Sequence, residues 1–209
     1  MIRLQRAGLA ACALLSCLYL AACNDYYRPT AVPLSPPAGD PQLQRQAFVV
    51  NYGTPGSPST VTRVDATGDT ITAINNAGKG SVYVAALPGG SGLYVANRDD
   101  DTVTAMNASA PGGSTVTTVQ LQDGCKPVYV ATTEVTREYV ACSGTNAVDA
   151  ISTTQNVLTN TIPVGTNPVA IAETPDRSKV YAINKGDGTV SVINTRDQVV
   201  VNAIGVGAS

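Results

Sequence analysis

The chain has 209 residues, 44% of them hydrophobic and only 13% charged, with one Phe, no Trp, no His and a formal net charge of -2. Without histidine it can supply no Ser-His-Asp or Cys-His triad, no histidine general base, no His ligand for zinc or copper and no axial histidine for a haem. Thirteen Pro and 19 Gly lie near ordinary usage, far from a disordered or collagen-like composition.

The first element is a targeting segment, residues 1–22. Arg3 and Arg6 form a short positive region, and the apolar run from Ala7 to Leu20 is too short to span a bilayer as a helix, which is the form of a secretory signal. It ends in Leu20-Ala21-Ala22-Cys23. Small residues just before a Cys at the end of such a run resemble the bacterial lipobox, which implies cleavage before Cys23 and acylation of its thiol. Leu9 to Cys12 and Leu14-Leu15-Ser16-Cys17 repeat parts of the pattern but leave a shortened apolar region in front. A plain signal peptide cleaved near Ala22 is the alternative. Two or more acyl chains anchor stably where one does not, so the resemblance implies a protein tethered to the cell envelope without spanning it. Asn24 follows the Cys. By resemblance to enterobacterial sorting, where Asp at that place retains lipoproteins in the inner membrane, this implies the outer membrane, facing the periplasm or the surface.

Next comes a linker, so that 23–46 form the lipidated Cys and a Pro-rich spacer. Pro29, Pro33, Pro36, Pro37 and Pro41 break any helix or strand, and no apolar period runs through them. At about 3.1 Å per residue, such a tether holds the rest of the chain tens of ångströms from the lipid.

From Ala47 to the end, 47–209, the chain repeats. Four strands align as Phe48-Val49-Val50-Asn51, Tyr94-Val95-Ala96-Asn97, Tyr139-Val140-Ala141-Cys142 and Tyr181-Ala182-Ile183-Asn184, their last residues 46, 45 and 42 apart. A second strand follows each polar turn, around Val61, Val103, Val148 and Val190. A third follows, at Thr70 to Ile74, Thr115 to Val119, Val157 to Ile162 and Val199 to Ile204. A fourth appears three times, as Val82 to Ala85, Val128 to Ala131 and Val169 to Ala172. Four short strands in 42 to 46 residues, joined by Gly, Asn, Asp and Pro turns, predict an all-β fold built of β-propeller blades. A sandwich or a solenoid is the competing architecture. No stretch after Ala47 carries a 3.6-residue apolar period, so no helix is expected there.

Tyr-Val-Ala-Asn with Thr-Val-Thr, Ile-Pro-Val-Gly-Thr-Asn-Pro-Val-Ala-Ile-Ala, and Thr-Pro-Asp-Arg-Ser-Lys-Val-Tyr-Ala-Ile-Asn resemble the YVTN-type β-propeller repeat. The likeness is closest over Ile162 to Asn194. Cys142 in place of the strand-ending Asn departs from it, as does the lack of a Pro-Asp-Gly-like turn in the first two repeats. The resemblance implies a propeller, commonly of seven blades, in secreted, periplasmic or surface proteins of varied role, and it speaks for fold more than for function. At about 43 residues per blade, the span from Ala47 supplies an incomplete arc of about four four-stranded blades, the last lacking a strand. Three expectations arise: a fragment of a longer reading frame, a self-complementing oligomer, or a small closed ring. An open arc would expose an apolar blade face at each end.

Beyond the signal and Cys23, two cysteines remain, Cys125 and Cys142. In an oxidising compartment they form a candidate disulfide, because the strands near 128–131 and 138–142 read as antiparallel neighbours; two small buried hydrophobes are the other reading. Asp99 and Asp101, in the run Arg98-Asp99-Asp100-Asp101, are the only candidate metal ligands, as a calcium loop. The EF-hand order is absent, and a solvated turn is the plainer reading. No Walker or dinucleotide motif is present, and zero Trp speaks against a quinone-cofactor propeller, so no cofactor is implied.

Without Arg3 and Arg6, 11 basic residues stand against 15 acidic, which does not favour nucleic acid. The recurring Tyr83, Tyr94, Tyr129, Tyr139 and Tyr181 fit packing. Two functions are expected. The first is a lipid-anchored binding or scaffold module for a protein or glycan partner, with self-association through open blade edges. The second is a lactonase-like propeller hydrolase using carboxylates or a metal, for which the recurring Asn51, Asn97 and Asn184 are the thin support; no catalytic residue is assigned.

Overall fold

The computed structural model describes residues 46–54, 57–65, 68–88, 90–108, 116–132 and 136–207. The signal segment, Cys23 and the Pro-rich spacer up to residue 45 lie outside the described residues. Within the described residues every element is a strand, and there is no helix.

Four antiparallel sheets succeed one another along the chain. The first holds β1 (Gln46–Asn51), β2 (Pro58–Asp65) and β3 (Thr70–Lys79). The second holds β4 (Ser81–Ala86), β5 (Gly92–Asn97), β6 (Thr102–Asn107) and β7 (Val116–Gln120). The third holds β8 (Pro127–Ala131), β9 (Arg137–Cys142), β10 (Ala147–Ser152) and β11 (Val157–Pro163). The fourth holds β12 (Pro168–Glu173), β13 (Lys179–Asn184), β14 (Thr189–Asn194) and β15 (Val199–Gly205). In every sheet the strands lie side by side in chain order.

This is the arc of blade-like sheets expected from the repeat, with its phase corrected. The strand Val82 to Ala85 does not complete the first sheet. It opens the second, with Val84 opposite Val95 in the β4·β5 ladder. Among the described residues the three-stranded sheet is therefore the first, and the last sheet has four strands. Packing shows which strands of the first sheet the described residues hold. β5 lies against β8 and β9 against β12, and β1 lies against β4 in the same way. β1 is thus a second strand, and no innermost strand of this sheet lies among the described residues. Periodicity alone could not fix this phase, because moving a boundary by one strand leaves every spacing unchanged.

The local chemistry that makes the turns is repeated. Gly80, Lys126 and Asn167, in the links between sheets, have φ of 63°, 49° and 53°; Asp101, Asn146 and Gly188, between second and third strands, have 54°, 57° and 63°. Asp69, Asn156 and Gln198 do the same before the outermost strands, at 50°, 53° and 54°. Gly adopts this left-handed region freely, and Asn and Asp tolerate it better than other residues. The polar turns of the sequence are thus the places where the backbone must reverse.

The core lies between sheets. Leu93 and Val95 of β5 join Val61 and Met106 in a cluster with the first sheet, while Tyr94 and Ala96 join Val103, Val130 and Val140 in a cluster with the third. Tyr139, Ala141, Val148 and Ile162 pack on Ile171, Val180, Ala182 and Ile193 of the fourth. Period-two alternation in a doubly covered strand therefore buries both faces. β5 is buried at all six positions, whereas β1 alternates and β15 is exposed throughout. Each fully buried Val or Ile contributes about 1.5–3 kcal/mol. The first sheet packs on the second, the second on the third and the third on the fourth, and among the described residues the arc is not closed.

The outer edges carry their own protection. In β11 and β15 the ladder slips at Ala150/Ile151 and Val192/Ile193, and the Asn beside each bulge caps its neighbour: Thr161 N donates to Asn160 Oδ1 and Ala203 N to Asn202 Oδ1, both at 2.9 Å. A bulge that consumes an edge amide discourages strand addition there.

Candidate functional site

The recurring asparagines sit at the end of each second strand, where the hairpin to the third strand begins. Asn97 is fully buried; its Nδ2 donates to Thr102 Oγ1 (2.9 Å) and Thr104 Oγ1 (2.7 Å), and its Oδ1 accepts from Ser81 Oγ (2.6 Å). Asn184 Nδ2 donates to Thr189 Oγ1 and Ser191 Oγ, both at 2.9 Å. Asn51 Nδ2 reaches Thr60 Oγ1 and Thr62 Oγ1 at 3.0 and 2.9 Å. The side chain therefore locks its own hairpin. Backbone makes room for it: a Cβ on Gly78 would lie 2.5 Å from Asn97 Nδ2, and one on Gly165 would collide with Asn184. The three Nδ2 groups are thus spent on hydroxyls of their own hairpins. The hydroxyls at Thr-x-Thr, Thr-x-Thr and Thr-x-Ser after each Asn are the sequence signal for this clamp.

The third sheet solves the same problem differently. Cys142 stands where the Asn should be, and the positions of the two hydroxyls hold Ala147 and Asp149. Cys142 is joined to Cys125, with S–S 2.07 Å and Cα–Cα 4.5 Å. Asp149 is buried; its Oδ1 accepts from Thr161 Oγ1 (2.7 Å) and its Oδ2 from Gln122 N (3.2 Å). Burial pushes its carboxyl above the ordinary range, and those two hydrogen bonds pull against the shift. Nothing in the sequence singles out Asp149. Its carboxylate and the two sulfurs cluster within 4.8 Å, but with both sulfurs in the bridge they are not thiolate ligands.

The acidic turn is an assembly of ties. Asp100 accepts from Lys79 N (2.9 Å), at the end of β3 where the link from the first sheet begins, and from Thr102 Oγ1 (2.8 Å) of its own hairpin. Asp187 repeats this in the fourth sheet, accepting from Thr166 N (2.7 Å) and Thr189 Oγ1 (2.6 Å), and these bonds hold its carboxyl below the usual range. Asp101 reaches forward: Oδ1 accepts from Lys126 N (2.7 Å) and Oδ2 from Gly124 N (2.9 Å), in the link to the third sheet. Asn146 makes the corresponding bond to Asn167 N (2.8 Å). Asp99 accepts from Tyr52 OH (2.9 Å) and lies 3.5 Å from Arg98 Nε. The two residues considered as calcium ligands, Asp99 and Asp101, are thus brought to one turn, and each already has protein partners.

At this end of the sheets a cleft of about 550 Å³ opens, lined by Arg98, Asp99, Asp101, Lys126, Val128, Ser143 and Asn167. Its walls come from turns of the second and third sheets and from the link into the fourth. The volume falls within the ligand-pocket range of roughly 300–1,000 Å³. Asp101 is fixed by two amides and Ser143 Oγ by the Lys126 carbonyl (2.8 Å), which holds the lining still. A smaller cleft of about 220 Å³ lies at the other end of the strands, near Tyr94 and Asn156, whose side chains share a 2.8 Å hydrogen bond.

The recurring tyrosines belong to packing. Tyr94 and Tyr139 are buried between sheets, and burial pushes the Tyr94 hydroxyl up to about 12, with Glu138 nearby adding to it. Tyr83 and Tyr129, on the neighbouring inner strands β4 and β8, stack with centroids 4.3 Å apart. Burial, then the hydrogen bond to Tyr129, raises the Tyr83 hydroxyl to about 12.

No family model matches this chain, and no curated protein does. Solved structures are similar in fold. Hydrazine synthase of Kuenenia stuttgartiensis shares 24% identity over 74% of this chain and 47% of its own, with a TM-score of 0.63. A functionally unknown protein from Desulfotomaculum acetoxidans shares 20% over 70% and 48%, with a TM-score of 0.59. The dihydro-heme d1 dehydrogenase NirN shares 16% over 78% and 36%, with a TM-score of 0.62. Hydrazine synthase and NirN are β-propeller proteins. The likeness establishes that these sheets are propeller blades. The chain spans less than half the length of each of the three.

Proposed function

We propose that this chain is a lipid-anchored, extracytoplasmic propeller module of YVTN-like repeats that binds a protein or glycan partner through its turn end. The observation that carries the binding reading is the cleft at Arg98, Lys126, Ser143 and Asn167, a concavity contributed by successive sheets. Its lining is held by hydrogen bonds made before any ligand arrives, which lowers the ordering cost of binding. The anchor rests on Leu20-Ala21-Ala22-Cys23. The hydrolase reading finds no support in Asn51, Asn97 and Asn184, whose amides bond hairpin hydroxyls.

Two measurements test the two halves. Palmitate labelling in a bacterial host should mark the wild-type chain and vanish in Cys23→Ala; equal labelling of both would end the anchor proposal. For the cleft, a panel of envelope glycan fragments and envelope proteins is titrated against the wild type and Arg98→Glu/Lys126→Glu. Loss of a saturable interaction by about tenfold or more in the double variant is expected, in line with the concentration of binding energy in few residues. Binding that ignores both changes would place the partner elsewhere.

A further inference from the structure

The junctions between successive sheets treat one backbone carbonyl in different ways. It belongs to the residue just after each third strand: Ala108 after β6, Thr153 after β10 and Thr195 after β14. The amides of these residues all return to the residue before their own second strand: Ala108 N donates to the Ser91 carbonyl (3.1 Å), Thr153 N to that of Thr136 and Thr195 N to that of Ser178 (both 3.2 Å). The three carbonyls are therefore equivalent. At the first junction Arg63 Nη1 donates to the Ala108 carbonyl at 2.9 Å. At the third, Arg137 Nη1 donates to the Thr195 carbonyl at 3.0 Å and to Tyr139 OH at 3.3 Å. Each time the preceding sheet sends a guanidinium across.

At the middle junction both sending positions are small. The ladder registers place Ala105, opposite Tyr94, where Arg63 stands opposite Phe48, and Gly92, opposite Asn107, where Arg137 stands opposite Ser152. Gly92 and Ala105 both line the cleft of about 220 Å³ at this end of the strands, together with Tyr94, Thr153 and Asn156. No charged side chain is among the described residues that line it.

We propose that this cleft is a subsite for a guanidinium group supplied from outside the chain, which donates to the Thr153 carbonyl and to Tyr94 OH as Arg137 does to Thr195 and Tyr139. A carbonyl oxygen has two lone pairs, and a phenolic oxygen that donates its proton still accepts; Tyr94 OH donates to Asn156 Oδ1 at 2.8 Å. The planar fork of a guanidinium reaches two acceptors at once, which a lysine ammonium does not match. Glu138, fully buried in β9, stands close enough to Tyr94 to oppose ionisation of its hydroxyl, and a carboxylate charge in such a setting favours a cation beside it. The volume lies below the roughly 300–1,000 Å³ of pockets for drug-sized ligands and suits a single side-chain head. The site is separate from the cleft at Arg98 and Lys126, so its failure leaves the binding proposal standing.

Titration of the purified full chain with methylguanidinium, and with methylurea as its uncharged isostere, tests it. A saturable interaction in the millimolar range is expected, with backbone amide shifts centred on Tyr94, Thr153 and Asn156, and binding of methylurea about tenfold weaker or more. A pentapeptide with one central arginine distinguishes the sources: affinity well above that of methylguanidinium marks a partner protein's side chain, and equal affinity marks a free guanidino compound. Gly92→Arg supplies the group from within. A Cβ there would lie 2.8 Å from Leu87 Cδ1, the end of a side chain that can turn away. This variant should lose methylguanidinium binding and melt roughly 3–6 °C above Gly92→Met, which fills the space without the charge; Ala105→Arg, at the Arg63 position, should also lose the binding. Equal shifts with methylguanidinium and methylurea overturn the inference. So does methylguanidinium binding that persists unchanged in Gly92→Arg and Ala105→Arg.

Discussion

Cys142→Ser, or the pair Cys125→Ser/Cys142→Ser, is expected to lower stability by about 3 kcal/mol, the chain-entropy value for a link over roughly 15–20 residues. The bridge spans 17 residues and both cysteines are fully buried. For a domain of this size the melting temperature should fall by roughly 6–12 °C. The loss is specific to the third sheet, because Ala147 and Asp149 give its hairpin no hydroxyl pair to fall back on. Reducing the wild type with a dithiol should reproduce the shift and leave the double variant unmoved. Equal melting temperatures for oxidised wild type, reduced wild type and variant would show that the hairpin is held by something else.

Asn97→Ala should be of similar size, about 3 kcal/mol, since it leaves Ser81, Thr102 and Thr104 short of a partner in a buried setting, where an unmet polar group costs about 1–3 kcal/mol. Asn51→Ala makes the comparison decisive. Asn51 forms the same two donor bonds at an exposed hairpin, where water replaces the lost partner, and the cost should stay under about 1 kcal/mol. Urea midpoints of the two variants measure the difference. If both cost the same, burial is not what makes the clamp matter; if Asn97→Ala costs nothing, the clamp reading of these residues is wrong.

Much of the fold was legible. Tyr-Val-Ala-Asn, Thr-Val-Thr and Pro-Val-Ala-Ile-Ala, spaced at a sustained period, fix strand type and number because each strand carries its own alternation and each turn its own Asn, Asp or Gly. The phase was not legible, since whether Val82 to Ala85 closes one sheet or opens the next is decided by the path through Gly80 and by the β4·β5 ladder, neither of which changes the spacing. The site was read less well. Asp99, Asp100 and Asp101 stood out as a charge run, but their roles depend on which amides face them, and Gly124, Lys126 and Lys79 are brought there by the links between sheets. Asp149 carried no signal at all: a single Asp in a strand looks exposed until the neighbouring sheet covers it. Cys142 was the informative departure. A break in a repeated residue marked the hairpin held by a covalent bond in place of an amide clamp.

The dependence of each sheet on its neighbours is tested most directly by hydrogen exchange of the backbone amides in the folded chain. Strands covered on both faces, β5, β9 and β10, should exchange slowest; β1 and β15, covered on one face or neither, should exchange fastest. Slow exchange in β15 equal to that in β9, or protection that does not track the four sheets, would contradict it.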